Sequence, residues 1–250
     1  MLCHPVSTVK QDKRTKLFNG DCLIEMEKLP ESSVDLIFSD PPYGTTQCKW
    51  DSVIPLEPMW SEFTRVLKPR GLIIMTAAQP FTTKLINSNL NMFKHDLVWE
   101  KPNATGFLNA KKMHLRAHES ILIFYDKLPT YNPQLTHGHQ RRTSKRKTVS
   151  SECYGKAISL TEYDSTSRYP RSVIKISSDK QKASYHPTQK PVELMDYLIK
   201  TYTNEGDTVL DPTMGSGTTG VSALRLNREF IGIELDKKYF NIAKERICHD

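Results

Sequence analysis

Thr208-Val209-Leu210 reads as a strand, and Asp211-Pro212-Thr213-Met214-Gly215-Ser216-Gly217-Thr218-Thr219-Gly220 as a glycine-rich turn into a helix through about Leu226. Phe230-Ile231-Gly232-Ile233 reads as the next strand, ending at Glu234, and a helix from Lys237 to Ile247 follows. That is too little chain to complete a ligand-binding α/β sheet around the turn. The rest of the sheet has to come from upstream, so the glycine-bearing half comes last, in a permuted order.

Upstream residues supply matching elements. Lys16–Asn19, Val34–Phe38, Leu72–Met75, Asp96–Glu100 and Ser120–Tyr125 read as strands. Cys22–Lys28, Pro55–Leu67 and the region near Phe81–Leu90 read as helices, with Pro69-Arg70-Gly71 as a break. Val192–Tyr202 reads as a helix entered through Pro191. The expected fold class is α/β: a Rossmann-like, doubly wound, mostly parallel sheet with an antiparallel edge, a circularly permuted motif order and a small basic insertion. Residues 1–126 and 185–250 form the expected catalytic domain. From 127 to 184 periodicity fades, Ser, Thr and Tyr accumulate, and Arg141-Arg142-Thr143-Ser144-Lys145-Arg146-Lys147 runs basic without an interrupting acid. This insertion reads either as a solvated loop or as a phosphate-contacting, target-recognition element that orders on nucleic acid, with Arg141, Arg142, Lys145, Arg146 and Lys147 as DNA contacts.

Gly215-x-Gly217-x-x-Gly220 fits the dinucleotide fingerprint, and Glu234 lies near the spacing for gripping ribose hydroxyls. A mononucleotide P-loop is disfavoured because no Lys follows the second glycine. A glycine-rich strand-to-helix turn without ligand is the bland alternative, and Asp211 weighs between the remaining cofactors. A carboxylate ahead of the loop repels a pyrophosphate but suits the ammonium of S-adenosylmethionine.

Asp40-Pro41-Pro42-Tyr43-Gly44 stands at the carboxyl end of the Val34–Phe38 strand, where open α/β sheets bind ligands. Asp40 offers an anionic acceptor. Pro42 restricts Pro41 to an extended conformation and keeps the Pro41 carbonyl out of a helical turn. Tyr43 offers a flat face. Together they suit a planar amine, although a rigid strand-ending turn explains the five residues alone equally well.

A net charge of +7 favours an acidic partner such as nucleic acid. Residues 1–16 are polar, without a signal-peptide core, and no apolar run reaches membrane-spanning length. Cys3, Cys22, Cys48, Cys153 and Cys248 are scattered and unpaired in spacing, which fits reduced thiols in a cytoplasmic protein and no zinc site. His114 and His118 lack the HExxH acid, and no metal is expected.

Asp40–Gly44, Asp211–Thr219 and His186-Pro187-Thr188-Gln189-Lys190-Pro191 resemble three signatures of the amino-group DNA methyltransferases, in the order of the permuted beta group. The resemblance spans the chain except the insertion. One departure is Thr213, where the family usually has Phe. The resemblance implies an S-adenosylmethionine-dependent enzyme methylating adenine N6 in double-stranded DNA. Asp40, Pro41, Pro42 and Tyr43 would be catalytic, Asp40 and the Pro41 carbonyl taking the two amine hydrogens and Tyr43 stacking on a flipped base. Asp21, Cys22, Asp40, Lys190, Asp211, Pro212, Thr213, Gly215, Ser216, Gly217, Thr218 and Glu234 would bind cofactor, with Asp21 on its adenine and Lys190 on its carboxylate. Trp99-Glu100-Lys101-Pro102-Asn103 loosely resembles a segment near the target base, and Trp99 reads equally well as core. Asp at position 40 looks like the N6 pattern, and cytosine N4 is the close alternative. A silent DNA-binding protein on the same fold and an RNA substrate stay open. A homodimer and a cognate restriction endonuclease are further implied partners.

Overall fold

A computed structural model describes residues 13–44, 52–146, 149–152, 155–157, 161–177 and 189–249. Cys3, Cys48, Cys153, Lys147 and His186 to Thr188 lie outside them. The chain forms two compact units, Met1–Asn132 with Ser172–Asp250, and Pro133–Arg171.

The larger unit is built on one eight-stranded sheet. Its strands are β1 (Thr15–Asn19), β2 (Val34–Ser39), β3 (Leu67–Ala77), β4 (Phe93–Thr105), β5 (Arg116–Phe124), β10 (Val173–Lys175), β11 (Thr208–Asp211) and β12 (Glu229–Glu234), in the order β1-β12-β11-β2-β3-β5-β4-β10. β1, β12, β11, β2 and β3 run parallel. β5 lies antiparallel to both β3 and β4, and β10 joins β4 in parallel. The expected mostly parallel sheet with an antiparallel side is therefore present. β11, which leads into the glycine turn, sits between β12 and β2.

The continuous apolar runs of the parallel strands follow from helices on both faces. Successive residues alternate sides. Leu36 and Phe38 pack with Leu194, Leu198, Val221 and Ala243, from α4 (Val192–Tyr202), α5 (Thr218–Arg225) and α6 (Lys237–His249). Ile37, between them, packs with Met26, Phe63 and Leu85, from α1 (Cys22–Met26), α2 (Leu56–Val66) and α3 (Phe81–Ser88). In α2 the buried Met59, Trp60, Phe63 and Val66 recur at helical spacing, and the Trp60 indole donates to Ser88 Oγ at 2.8 Å.

Two expectations are corrected. The helix ends at Val66, ahead of Pro69-Arg70-Gly71, but those residues are not a break before the Leu72–Met75 strand, because β3 starts at Leu67 and passes through them. The register jumps from Val34–Leu67 to Leu36–Leu72, so the Pro and Gly fall in a bulge, where a missing ladder donor is tolerated. The region 127–185 also contains regular structure. β10 belongs to the main sheet, and the smaller unit holds β6 (Arg142–Arg146) against β9 (Thr161–Ser165) and β7 (Val149–Ser151) against β8 (Gly155–Ala157), both antiparallel. Arg168 ties that unit together, donating to Ser165 O at 3.0 Å and Ser167 O at 2.7 Å. The described side chains of β6 and β9 are exposed or half-buried, so this ribbon leaves no apolar period in the sequence.

Candidate functional site

Beyond the carboxyl ends of β2, β11 and β12 lies a cleft of about 1390 Å³. Asp21, Cys22, Asp40, Pro41, Pro42, Tyr43, Lys190, Asp211, Pro212, Thr213, Gly215, Ser216, Thr218 and Glu234 all line it. Gly217 does not. It caps the start of α5 with φ of 81°, and a Cβ there would meet Ala243 and Ile247, so its glycine serves the turn. Gly215 takes φ of 54° with open space where a Cβ would be, which leaves backbone exposed to the cleft.

Glu234 is fixed at the end of β12. It accepts the Gly215 N–H at 2.9 Å and the Asp236 N–H at 2.8 Å. Burial raises its pKa, and those N–H groups partly offset the rise. Asp211, at the end of β11, is buried and accepts the Thr219 hydroxyl at 2.6 Å and the Thr213 N–H at 3.0 Å. Burial pushes its carboxyl up to about 7 against those two bonds. Asp21 caps α1, accepting the Leu23 N–H at 2.9 Å, while burial and neighbouring Asp21 push the Cys22 thiol up to about 11.

Asp40 sits in a network that sequence reasoning did not foresee. Its Oδ1 accepts the Tyr43 hydroxyl at 2.9 Å and also the Thr76 hydroxyl. Its Oδ2 accepts Lys190 Nζ at 2.6 Å. Lys190, 8% exposed, also faces Glu119 at 3.3 Å, and Glu119 pairs with Lys101 at 2.9 Å. Burial disfavours the Lys190 charge, but Asp40, Tyr43 and Glu119 outweigh that and hold its pKa above the ordinary value. Lys190 thus contacts the carboxylate at position 40. The Tyr43 ring stacks on Phe81 at 5.4 Å. The Pro41 carbonyl accepts no hydrogen bond from the described residues. Trp99 is core, its indole donating to Ile176 O at 3.0 Å, although it borders the cleft.

Thr213 gains a reason. Its hydroxyl shares a 3.0 Å hydrogen bond with Ser39, joining the glycine turn to the end of β2. Arg246 of α6 braces the same turn through Ser216 O at 2.6 Å.

The basic run belongs to the smaller unit. Arg141 pairs with Asp164 at 2.5 Å and Lys145 with Glu162 at 3.5 Å, so the acids absent from the run stand on the partner strand. Arg142 is exposed and Arg146 ends β6. Among the described residues there is no cluster of acids, His and Cys suited to a metal, and no helix is long and apolar enough to cross a membrane.

Glu119 is the buried anion between two lysines. Burial alone would raise its pKa, but Lys190 and Lys101 bring it below the ordinary 4.5. A carboxyl depressed in the fold contributes stability above its unfolded value, and that contribution is lost as the pH drops through the folded one. Glu119→Ala is expected to cost about 3 kcal/mol at neutral pH by leaving the lysines without their shared partner. In urea melts the difference from wild type should shrink below pH 4.5. A constant difference at all pH values would exclude the ionic explanation.

Residues 34–245 match a model of a DNA methylase family, the N6 and N4 enzymes. The type II methyltransferase M.BglII of Bacillus subtilis is 30% identical over 262 residues, covering 96% of this chain and 71% of its own length. M.HpaI of Haemophilus parainfluenzae, also a type II methyltransferase, is 29% identical over 246 residues, covering 93% and 74%. The solved structure of M1.HpyAVI with SAM superposes with a TM-score of 0.63 at 26% identity, over 93% of this chain and 98% of that one. The cytosine-N4-specific PvuII DNA methyltransferase gives 0.65 over 96% and 90%, and its 18% identity makes this a likeness of fold alone.

Proposed function

The chain belongs to the N6/N4 DNA methylase family, and from that premise we propose that it methylates the N6 amine of an adenine flipped out of duplex DNA. The observation that carries amine methylation is Asp40 beside a Pro41 carbonyl that accepts no hydrogen bond from the described residues, in the same cleft as Asp211, Gly215 and Glu234, and Asp at position 40 is what favours adenine.

The residues suit S-adenosylmethionine. Asp211 is a buried carboxylate with no cation paired to it among the described residues, as an ammonium-bearing ligand requires. The open space over Gly215 admits a nucleoside against the backbone, and Glu234 is oriented to accept a sugar diol. When bound, the cofactor supplies an electrophilic methyl group on a sulfonium. We assign Asp21 and Cys22 to the rim of the same site.

An exocyclic amine is a poor nucleophile, because its lone pair is delocalised into the ring. Asp40 Oδ2, which carries one hydrogen bond, and the Pro41 carbonyl accept its two hydrogens and draw the nitrogen toward tetrahedral geometry. The lone pair then turns toward the glycine-loop side of the cleft. Tyr43, Thr76 and Lys190 fix the carboxylate so that it needs no reorientation on binding. A strong base is unnecessary, since the methylated nitrogen becomes acidic and loses a proton. Tyr43 is braced by Phe81 on one side and offers its other side to the base.

We read the smaller unit, Pro133–Arg171, as the target-recognition part of the insertion and the chain as the modification half of a restriction pair, on the pattern of its type II relatives. Cytosine N4 is the second reading, because the family covers both amines and the clamp holds either. Expression in a methylation-free host, followed by hydrolysis and sequencing of modified bases, tests this. N6-methyladenine at one motif is the expected result. N4-methylcytosine would move the assignment to cytosine, and unmodified DNA would overturn both readings.

A further inference from the structure

From Lys101 to His118 the sequence holds four Lys or Arg, two His and no acid. This stretch ends β4, turns, and begins β5. Gly106 makes the turn with φ of 90°, and a Cβ there would meet nothing within 4 Å, so the backbone conformation, not space, calls for glycine. A single 3-10 turn, Phe107–Asn109, follows. Phe107 and Leu108 are 77% and 82% exposed, and Met113 and Leu115 are exposed beside them. Lys111, Lys112 and Arg116 form no ion pair among the described residues, in contrast to Arg141 and Lys145.

Large apolar side chains kept in water beside unpaired cations mark a surface for a partner. Its chemistry is an anion outside and an apolar interior within reach. A base-paired duplex that can be unstacked has both. The hairpin also stands in the right location, for Asn103, Ala104, Thr105 and Arg116 at its base line the cleft that holds Asp40.

We propose that the β4–β5 hairpin is a duplex-entry wedge, with Phe107 and Leu108 inserting between bases beside the extruded nucleotide and Lys111, Lys112 and Arg116 contacting phosphates. The proposal rests on DNA being the substrate. It assigns to this hairpin contacts expected from the basic run of the insertion.

Two variants test it. In Phe107→Ser/Leu108→Ser, cofactor affinity by calorimetry should be unchanged. The fluorescence rise of 2-aminopurine at the target position should vanish, and kcat/KM for DNA should fall at least about 30-fold. In Lys111→Gln/Lys112→Gln, the slope of log affinity against log salt on a 30-base-pair duplex should flatten by about 2. A wild-type 2-aminopurine rise in the first variant together with a wild-type slope in the second would overturn the wedge. The slope needs no turnover and no known recognition site. If no base is methylated yet the slope flattens, the catalytic reading fails while this contact surface stands.

Discussion

Asp40→Ala is expected to lower methyl transfer on the order of 10³-fold or more while S-adenosylmethionine still binds. The carboxylate does two things that no neighbour can replace. In the proposed clamp it accepts an amine hydrogen, and in the fold it collects the Tyr43 and Thr76 hydroxyls and the Lys190 ammonium around one point. Removing it leaves Lys190 with Glu119 alone as an ion-pair partner among the described residues and frees Tyr43 from its acceptor. The cofactor side should survive, since Asp211 and Glu234 take their hydrogen bonds from Thr219, Thr213, Gly215 and Asp236. Single-turnover transfer with labelled cofactor, beside calorimetric binding, separates the two. Undiminished transfer would exclude the proposed amine clamp.

The second large effect concerns Asp211. Its carboxyl is pushed up to about 7, mainly by burial, whereas a cationic ammonium needs it ionised. Cofactor affinity should therefore strengthen as pH rises from 6 to 8, at about tenfold per unit on the acid side, and level above. Asp211→Asn keeps the shape and loses the charge, so it should weaken binding on the order of 100-fold and flatten that dependence. Stability should move the other way. An acid whose folded pKa lies above its unfolded 3.8 opposes folding increasingly as pH rises from 3.8 to about 7. The cofactor-free Asp211→Asn chain should therefore melt higher than wild type at pH 8. A variant that keeps the pH-dependent affinity would reassign the ammonium partner.

The parallel core was legible because strands buried on both faces announce themselves. Val34–Phe38 has no solvent side, and α4 occupies Val192–Tyr202, the residues read as a helix behind Pro191. β3 was misread at Pro69 because a bulge becomes visible only with the partner strand. Asp40, Asp211 and Glu234 are legible as cleft-lining residues because each stands at the end of a strand. Thr76 and Glu119 were missed for the converse reason, since their place depends on pairing. Met75 opposite Ser39 carries Thr76 to Asp40, and the antiparallel return of β5 delivers Glu119. In the same way, the run Arg141 to Lys147 reads as uncompensated charge until β9 sets Glu162 and Asp164 across from it.

The Thr208 N–H donates to the Asp35 carboxylate across 173 residues of chain, and β2 and β11 are paired neighbours in the middle of the sheet. On a ribosome, therefore, β2 emerges long before the strand that completes its edge. Until β11 is made, the edge of β2 presents unpaired amides and carbonyls next to apolar faces, the kind of edge that recruits foreign strands. Such distant pairing also makes for slow assembly. Growing chains should need protection late in synthesis, and the cleft exists only once the glycine turn has arrived to close it.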